Sequence, residues 1–286
     1  MSPSPVLFIS HGAPTFALEP GKLGARLSAL GKELSGVTAL LVVSPHWQTQ
    51  DLKVMTNKSP ATLHDFGGFP PALYDLRYPA PGHPEFAVEA GRLLLGAGFE
   101  PGFDEERGLD HGAWVPLLHL LPAADVPVFQ VSMPRTLDGA GALRLGRALA
   151  PLRQHGVLIV GSGSMTHNLY EFRRSAVGEA SYAREFTSWV RDAVLADAVD
   201  RLADYRRLAP HAARAHPTEE HFLPLLVAMG AVDEAGTAQV LEGGITYGVL
   251  SMESYAWGMA NAAHPGALGG QPTGSGHAFL NQRDGR

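Results

Sequence analysis

Cysteine is absent from the 286 residues of this chain. That absence excludes a disulfide scaffold, a thiolate zinc site, an iron–sulfur cluster and a thiol nucleophile. Charge is sparse: 22 Lys and Arg stand against 28 Asp and Glu, a formal net charge of −6. With a pI of about 6.1, no broad basic surface for nucleic acid is expected. Long hydrophobic runs are missing as well; none reaches the roughly 18 residues of a membrane span, so no membrane partner is expected. The opening Met1-Ser2-Pro3-Ser4-Pro5 lacks a basic stretch followed by an apolar one, so the expectation is a cytoplasmic protein without a secretory signal. Two things are plentiful. Apolar side chains make up 45%, enough for a packed core and too many for a disordered chain. Histidine occurs 13 times, about twice an average share. Imidazole is both the commonest metal ligand and the commonest acid or base near neutral pH.

Short apolar runs at residues 6–10, 38–44, 126–133, 157–161 and 245–252 read as strands. Helical spacing marks residues 23–34, 85–96, 138–152, most of 182–207, and 217–229, the last with Pro217 in its first turn. Residues 57–84, rich in Pro, Gly and aromatics, read as a long irregular loop, a length that usually marks function. Strands alternating with helices predict an α/β fold: a single domain with a central, largely parallel or mixed sheet flanked by helices. The domain is expected over residues 1–263. Residues 264–286, rich in Gly and polar residues, are expected to be a flexible tail.

Three of the strands run into a histidine: Ile9-Ser10-His11, Ser44-Pro45-His46, and Val160 onward to Thr166-His167. Ligands of open α/β sheets bind beyond the carboxyl ends of the strands, so these imidazoles are candidates for one metal or acid/base site. Taken singly, each is as readily a loop residue bonded to backbone. Asp110-His111 precedes a helix, where His111 could face a pocket and Asp110 could cap. His216 and His221 flank Pro217-Thr218-Glu219-Glu220. Five residues on a helix turn about 140°, so the two do not readily share one metal. One is a candidate ligand and the other a cap or support; Glu219 and Glu220 suit a helix N-terminus. His119, His155, His264 and His277 carry no motif. Gly161-Ser162-Gly163 invites a serine nucleophile but departs from the Gly-x-Ser-x-Gly elbow.

Together these segments resemble a known family. They are Ser10-His11-Gly12-Ala13-Pro14, Ser44-Pro45-His46-Trp47, His64-Asp65-Phe66-Gly67-Gly68-Phe69-Pro70, Leu73-Tyr74-Asp75, Tyr78-Pro79-Ala80-Pro81-Gly82, Leu109-Asp110-His111-Gly112-Ala113-Trp114, Gly161-Ser162-Gly163 with Thr166-His167-Asn168-Leu169, and Pro217 through Leu225. The family is the DODA-type extradiol ring-opening dioxygenases, within the class III, protocatechuate 4,5-dioxygenase β-subunit-like superfamily. The resemblance spans residues 6 to about 255.

The resemblance implies an enzyme that cleaves a catechol ring, such as that of DOPA, beside its two hydroxyls with O2. It implies one divalent metal per chain: Fe(II) for activity, with Zn(II) able to occupy the site as isolated. By carry-over, His11, His46 and His221 resemble the metal ligands, with His221 preferred over His216 because it directly precedes the aromatic-Leu-Pro-Leu run. His167 resembles the acid/base histidine, within reach of the metal in some members, and His111 a pocket-lining one. A His₃ set departs from the two-His-one-carboxylate triad of Fe(II) oxygenases and also suits zinc. Two rivals therefore stand beside this reading, a zinc-dependent, amidase-like hydrolase on the same histidines and a metal-binding protein without activity. Oligomeric state is left open.

Overall fold

The computed structural model describes residues 2–173, 178–232 and 237–259. The expected tail, residues 264–286, with His264 and His277, lies outside the described residues, as does the domain boundary placed near 263.

Among the described residues there are ten strands: β1 (Val6–Ser10), β2 (Ala39–Thr49), β3 (Lys53–Met55), β4 (Gly102–Asp104), β5 (Val128–Pro134), β6 (Val157–Gly163), β7 (Gln239–Leu241), β8 (Ile245–Thr246), β9 (Leu250–Ser251) and β10 (Ser254–Trp257). Ten α-helices of the described residues join them: α1 (Gly21–Gly31), α2 (Ala72–Asp75), α3 (Pro84–Gly96), α4 (His111–Leu120), α5 (Gly139–Leu149), α6 (Ser181–Leu195), α7 (Val199–Ala203), α8 (Tyr205–Leu208), α9 (Ala212–Ala215) and α10 (Leu223–Gly230). Eight strands form one mixed sheet in the order β4-β3-β5-β2-β6-β1-β10-β7. Its centre is parallel: β2 pairs with β5 and β6, and β6 with β1. On one side β1 pairs antiparallel with β10, and on the other β3 pairs antiparallel with β5. Every residue of β1 and β6 is buried, as expected of parallel strands covered on both faces. Helices α5 and α10 pack on each other with α10 against β6, while α4 packs against α1, β2 and β6. Among the described residues no helix is long and apolar enough to cross a membrane.

Several boundaries differ from the sequence reading, and the largest differences have physical reasons. Strand β2 does not stop at Pro45 but continues to Thr49, with a register shift between Val43 and Gln48. Pro45 cannot donate to the ladder, so the strand bulges and resumes. His46 therefore sits inside a strand. The last long helix begins at Leu223, not at Pro217. Had it begun earlier, Pro224 would have to donate to the Glu220 carbonyl, and it has no N–H to give; Pro224 instead occupies the first turn, where that loss costs nothing. The run 245–252 is not one strand. Tyr247 and Gly248 both adopt positive φ, 52° and 77°, and this tight turn folds β8 back on β9. Residues 182–207 divide into α6, α7 and α8, with Asp197 at φ 51° ending α6. The stretch 57–84 is irregular apart from α2 and the first residue of α3.

Candidate metal centre and active site

His11 follows directly on β1, and its amide donates to the Gly163 carbonyl at the end of the neighbouring β6 (2.9 Å). His46 leans in from the bulge of β2. His221 ends the loop before α10, held to β6 by the Ser164 amide donating to its carbonyl (2.9 Å). Potential ligand atoms of these three histidines lie within 4.8 Å of one another. The His11 and His46 Nε2 atoms are 3.1 Å apart.

The other nitrogens of His11 and His221 are tied to oxygen. His11 Nδ1 meets Ser162 Oγ at 3.0 Å. His221 Nδ1 meets Glu220 Oε1 at 3.0 Å. His46 Nδ1 lies 4.0 Å from Asp65 Oδ2. The remaining nitrogen of His221, Nε2, is buried with no hydrogen-bond partner. A buried imidazole nitrogen without a partner is costly unless something electron-poor meets it. Burial, followed by the neighbouring imidazoles, holds His11 and His221 well below the ordinary histidine range. Burial and then His111 bring His46 down to about 3. All three are neutral at pH 7 and present lone pairs. This donor set fits a divalent metal.

Two more histidines complete the cluster. The His167 ring stacks on His221 with centroids 3.4 Å apart and planes 9° apart, and burial, then His111, lowers its pKa to about 4. His111 opens α4; Asp65 accepts from both its backbone N–H (2.9 Å) and its Nδ1 (3.1 Å). Burial pushes Asp65 up, but the hydrogen bonds from His111 outweigh it and hold the carboxyl at about 2. His46, Asp65 and His111, and likewise His167, Glu220 and His221, also sit close enough to share an ion. In both groups the carboxylate is already bonded to an Nδ1, so its simplest role is to orient a ring.

Beneath the cluster lies a hub that the sequence did not disclose. Asp110 is fully buried. It caps α4 through Ala113 N, accepts from Ser44 Oγ (2.8 Å) and Gln130 Nε2 (2.8 Å), and pairs with Arg107 (3.0 Å). Arg107 also donates to the His46 carbonyl (3.2 Å). The capping role expected of Asp110 is thus present, and the same carboxylate fixes His46 relative to His111.

The structure brings His11, His46, His111, His167 and His221 together: the last four line a chamber of about 410 Å³ walled by Phe66, Phe69, Leu169, Phe172 and Leu250, and the His11 ring packs behind them against His46, His111 and His221. His216 is not among them. It is completely buried, meets the Met165 carbonyl through Nε2 (2.9 Å), and packs between Phe186 and Phe222. Asp65, Ser162 and Glu220 as partners of the imidazoles were missed. The first two lie 46 and 151 residues from the histidines they hold. Only the adjacency of Glu220 to His221 carried a signal, and it read more simply as a helix N-terminus.

The family described as the catalytic LigB subunit of aromatic ring-opening dioxygenase matches residues 7–257. A 4,5-DOPA dioxygenase extradiol of Beta vulgaris is 42% identical, covering 87% of this chain and 94% of that protein. A protein of the same name from Escherichia coli K12 is 37% identical, over 87% and 93%. The crystal structure of an uncharacterized E. coli K12 protein, JW3007, superposes with a TM-score of 0.73 at 30% identity, covering 89% of this chain and all of that one.

Proposed function

Because the chain belongs to the family of the catalytic LigB subunit of aromatic ring-opening dioxygenases, and is an enzyme of the extradiol class, we propose that it opens the ring of a catechol such as DOPA with O2. In this reading His11, His46 and His221 hold one Fe(II), His167 is the acid/base, and His111 positions a reactant oxygen. The observation that carries it is the cluster at the base of the chamber, where His46 and His221 line it and His11 packs against both: three neutral imidazoles with one nitrogen of each converging. When bound, a divalent metal lowers the pKa of coordinated hydroxyls, and iron also relays electrons between ring and O2.

The chain's own residues supply the rest. His167 is neutral at pH 7 and accepts the proton that a catechol hydroxyl must lose. The negative charge left on the substrate then raises the pKa of that imidazole and keeps the proton in place for later donation. Asp65 fixes the His111 ring, leaving its Nε2 to hydrogen-bond a substrate or dioxygen oxygen. Phe66 packs edge-on to both Phe69 and His111, so one wall is aromatic and excludes water, which strengthens each polar contact at the floor. The family membership favours this reading over a zinc hydrolase on the same histidines.

The test is oxygen uptake. Metal-stripped protein, reconstituted anaerobically with Fe(II) and then given air and a catechol, should consume one O2 per ring and form a product with a new visible band; the Zn(II) form should not. Zn(II)-dependent hydrolysis without oxygen uptake would overturn the reading. His11→Ala, His46→Ala and His221→Ala should each lose metal by elemental analysis. His167→Ala should keep it and lose roughly 10²–10⁴ in turnover, the usual worth of an acid/base.

A further inference from the structure

Gly161-Ser162-Gly163 is not a nucleophile motif in this fold, yet its geometry is specific. Successive residues of a strand face opposite ways. A Cβ on Gly161 would meet the Pro224 carbonyl at 2.0 Å, and one on Gly163 the His221 carbonyl at 2.4 Å. Those two glycines thus let the α10 segment lie directly on β6. Ser162 faces the other way, toward the start of α4, and is fully buried. Its hydroxyl has two partners, the Gly112 carbonyl and His11 Nδ1.

A hydroxyl carries one hydrogen. A carbonyl can only accept, so that hydrogen goes to Gly112. Toward His11 the serine oxygen can then only accept, and Nδ1 must be the protonated nitrogen. Gly112 is open to this bond because the residue four positions on is Pro116, inside α4, and proline has no N–H to return to the i−4 carbonyl. The same glycine lets the helix press this close: a Cβ there would meet Ser44 Oγ at 2.3 Å and His46 Cδ2 at 3.0 Å.

We propose that Ser162 is a positioning residue that locks His11 in the Nδ1–H tautomer, and that Pro116 sets this lock by freeing the Gly112 carbonyl to take the serine proton. The consequence is a permanent lone pair on His11 Nε2, aimed at His46 Nε2 and at the place a metal would occupy. In the metal-free protein His46 Nε2–H donates to that lone pair across the 3.1 Å gap. This rests on the metal-site reading above but is measured separately from it.

The tautomer is read by long-range proton–nitrogen NMR on metal-free wild-type protein, and affinity by competition of Zn(II) against a chelator. His11 should show the Nδ1–H signature. Ser162→Ala should lose that signature and weaken Zn(II) binding about ten- to hundredfold, the range seen when a ligand's orienting partner is removed. Ser162→Cys, a weaker donor and acceptor, should fall between. An Nε2–H signature for His11 in the wild type, or wild-type Zn(II) affinity in Ser162→Ala, would overturn the proposal. If the variants fail to fold, the wild-type spectrum decides alone. Failure of wild-type protein to bind Zn(II) at all would sink the metal-site reading and leave the tautomer result standing by itself.

Discussion

At the scale of single residues, the site is a set of imidazoles made different by their oxygen partners. His11 is keyed by a serine, His221 by a glutamate and His111 by an aspartate. A neutral partner leaves a ring's electron density nearly unchanged, whereas a carboxylate makes the ring more basic and a better donor of electron density. Asp65 is the most consequential, since it takes two hydrogen bonds from His111 and lies 4.0 Å from His46. Asp65→Asn keeps the size and removes the charge. Its metal content, by elemental analysis, should stay near one per chain, because His46 retains its Nε2. Its kcat should fall by about one to two orders of magnitude through loss of the His111 orientation. Metal loss with unchanged kcat per bound metal would instead assign Asp65 to the His46 side.

At the scale of elements, the site depends on how closely two helices meet β6. The α10 segment lies on Gly161 and Gly163, and α4 lies against Ser162. Gly161→Ala would drive a methyl into the Pro224 carbonyl, 2.0 Å from the ideal Cβ position. Backbone cannot yield as a flexible side chain does, so the variant should lose about 1–3 kcal/mol of stability and weaken the metal site by moving His221. Thermal melting and chelator competition read the two effects. Much of this frame was legible in the sequence. The buried strands announced themselves as apolar runs, and histidines placed at or just after them pointed to one sheet edge. Pro45 and Pro224 were visible but misread. A proline in a strand looks like its end and is a bulge; a helix that seems to start at one proline starts at the later one, whose missing N–H forbids the earlier turn. Ser162 and Asp65 were not legible as partners of His11 and His111, because strand order decides who meets whom and nothing local encodes it. The choice between His216 and His221 is likewise tertiary, since spacing alone left both open.

At the scale of the whole molecule, burying this many neutral imidazoles ties stability to pH. Desolvation is the leading cause in each case: His216 and His46 are lowered to about 3, His167 to about 4, and His11 and His221 well below the ordinary range. In the unfolded chain they titrate near 6.5. Above that pH neither state binds these protons and no stability is lost. Between about 6.5 and the folded values the unfolded state binds more protons, so stability falls as pH falls, by about 1.4 kcal/mol per pH unit for each proton. Asp65, held at about 2 by its hydrogen bonds from His111 and so below the usual carboxylate range, has the same sign in a lower window. His216 isolates one proton of this limb because it lies outside the cluster of five histidines. Its Nδ1 is buried without a partner and its Nε2 faces the Met165 carbonyl. His216→Gln keeps an amide donor for that carbonyl and cannot titrate. Urea midpoints of the metal-free protein between pH 7.5 and 4.5 should give the variant a slope smaller by about one proton, with wild-type metal stoichiometry at pH 7.5. An unchanged slope would mean that His216 gains its proton without unfolding; lost metal would make it a candidate ligand despite its distance from the other histidines.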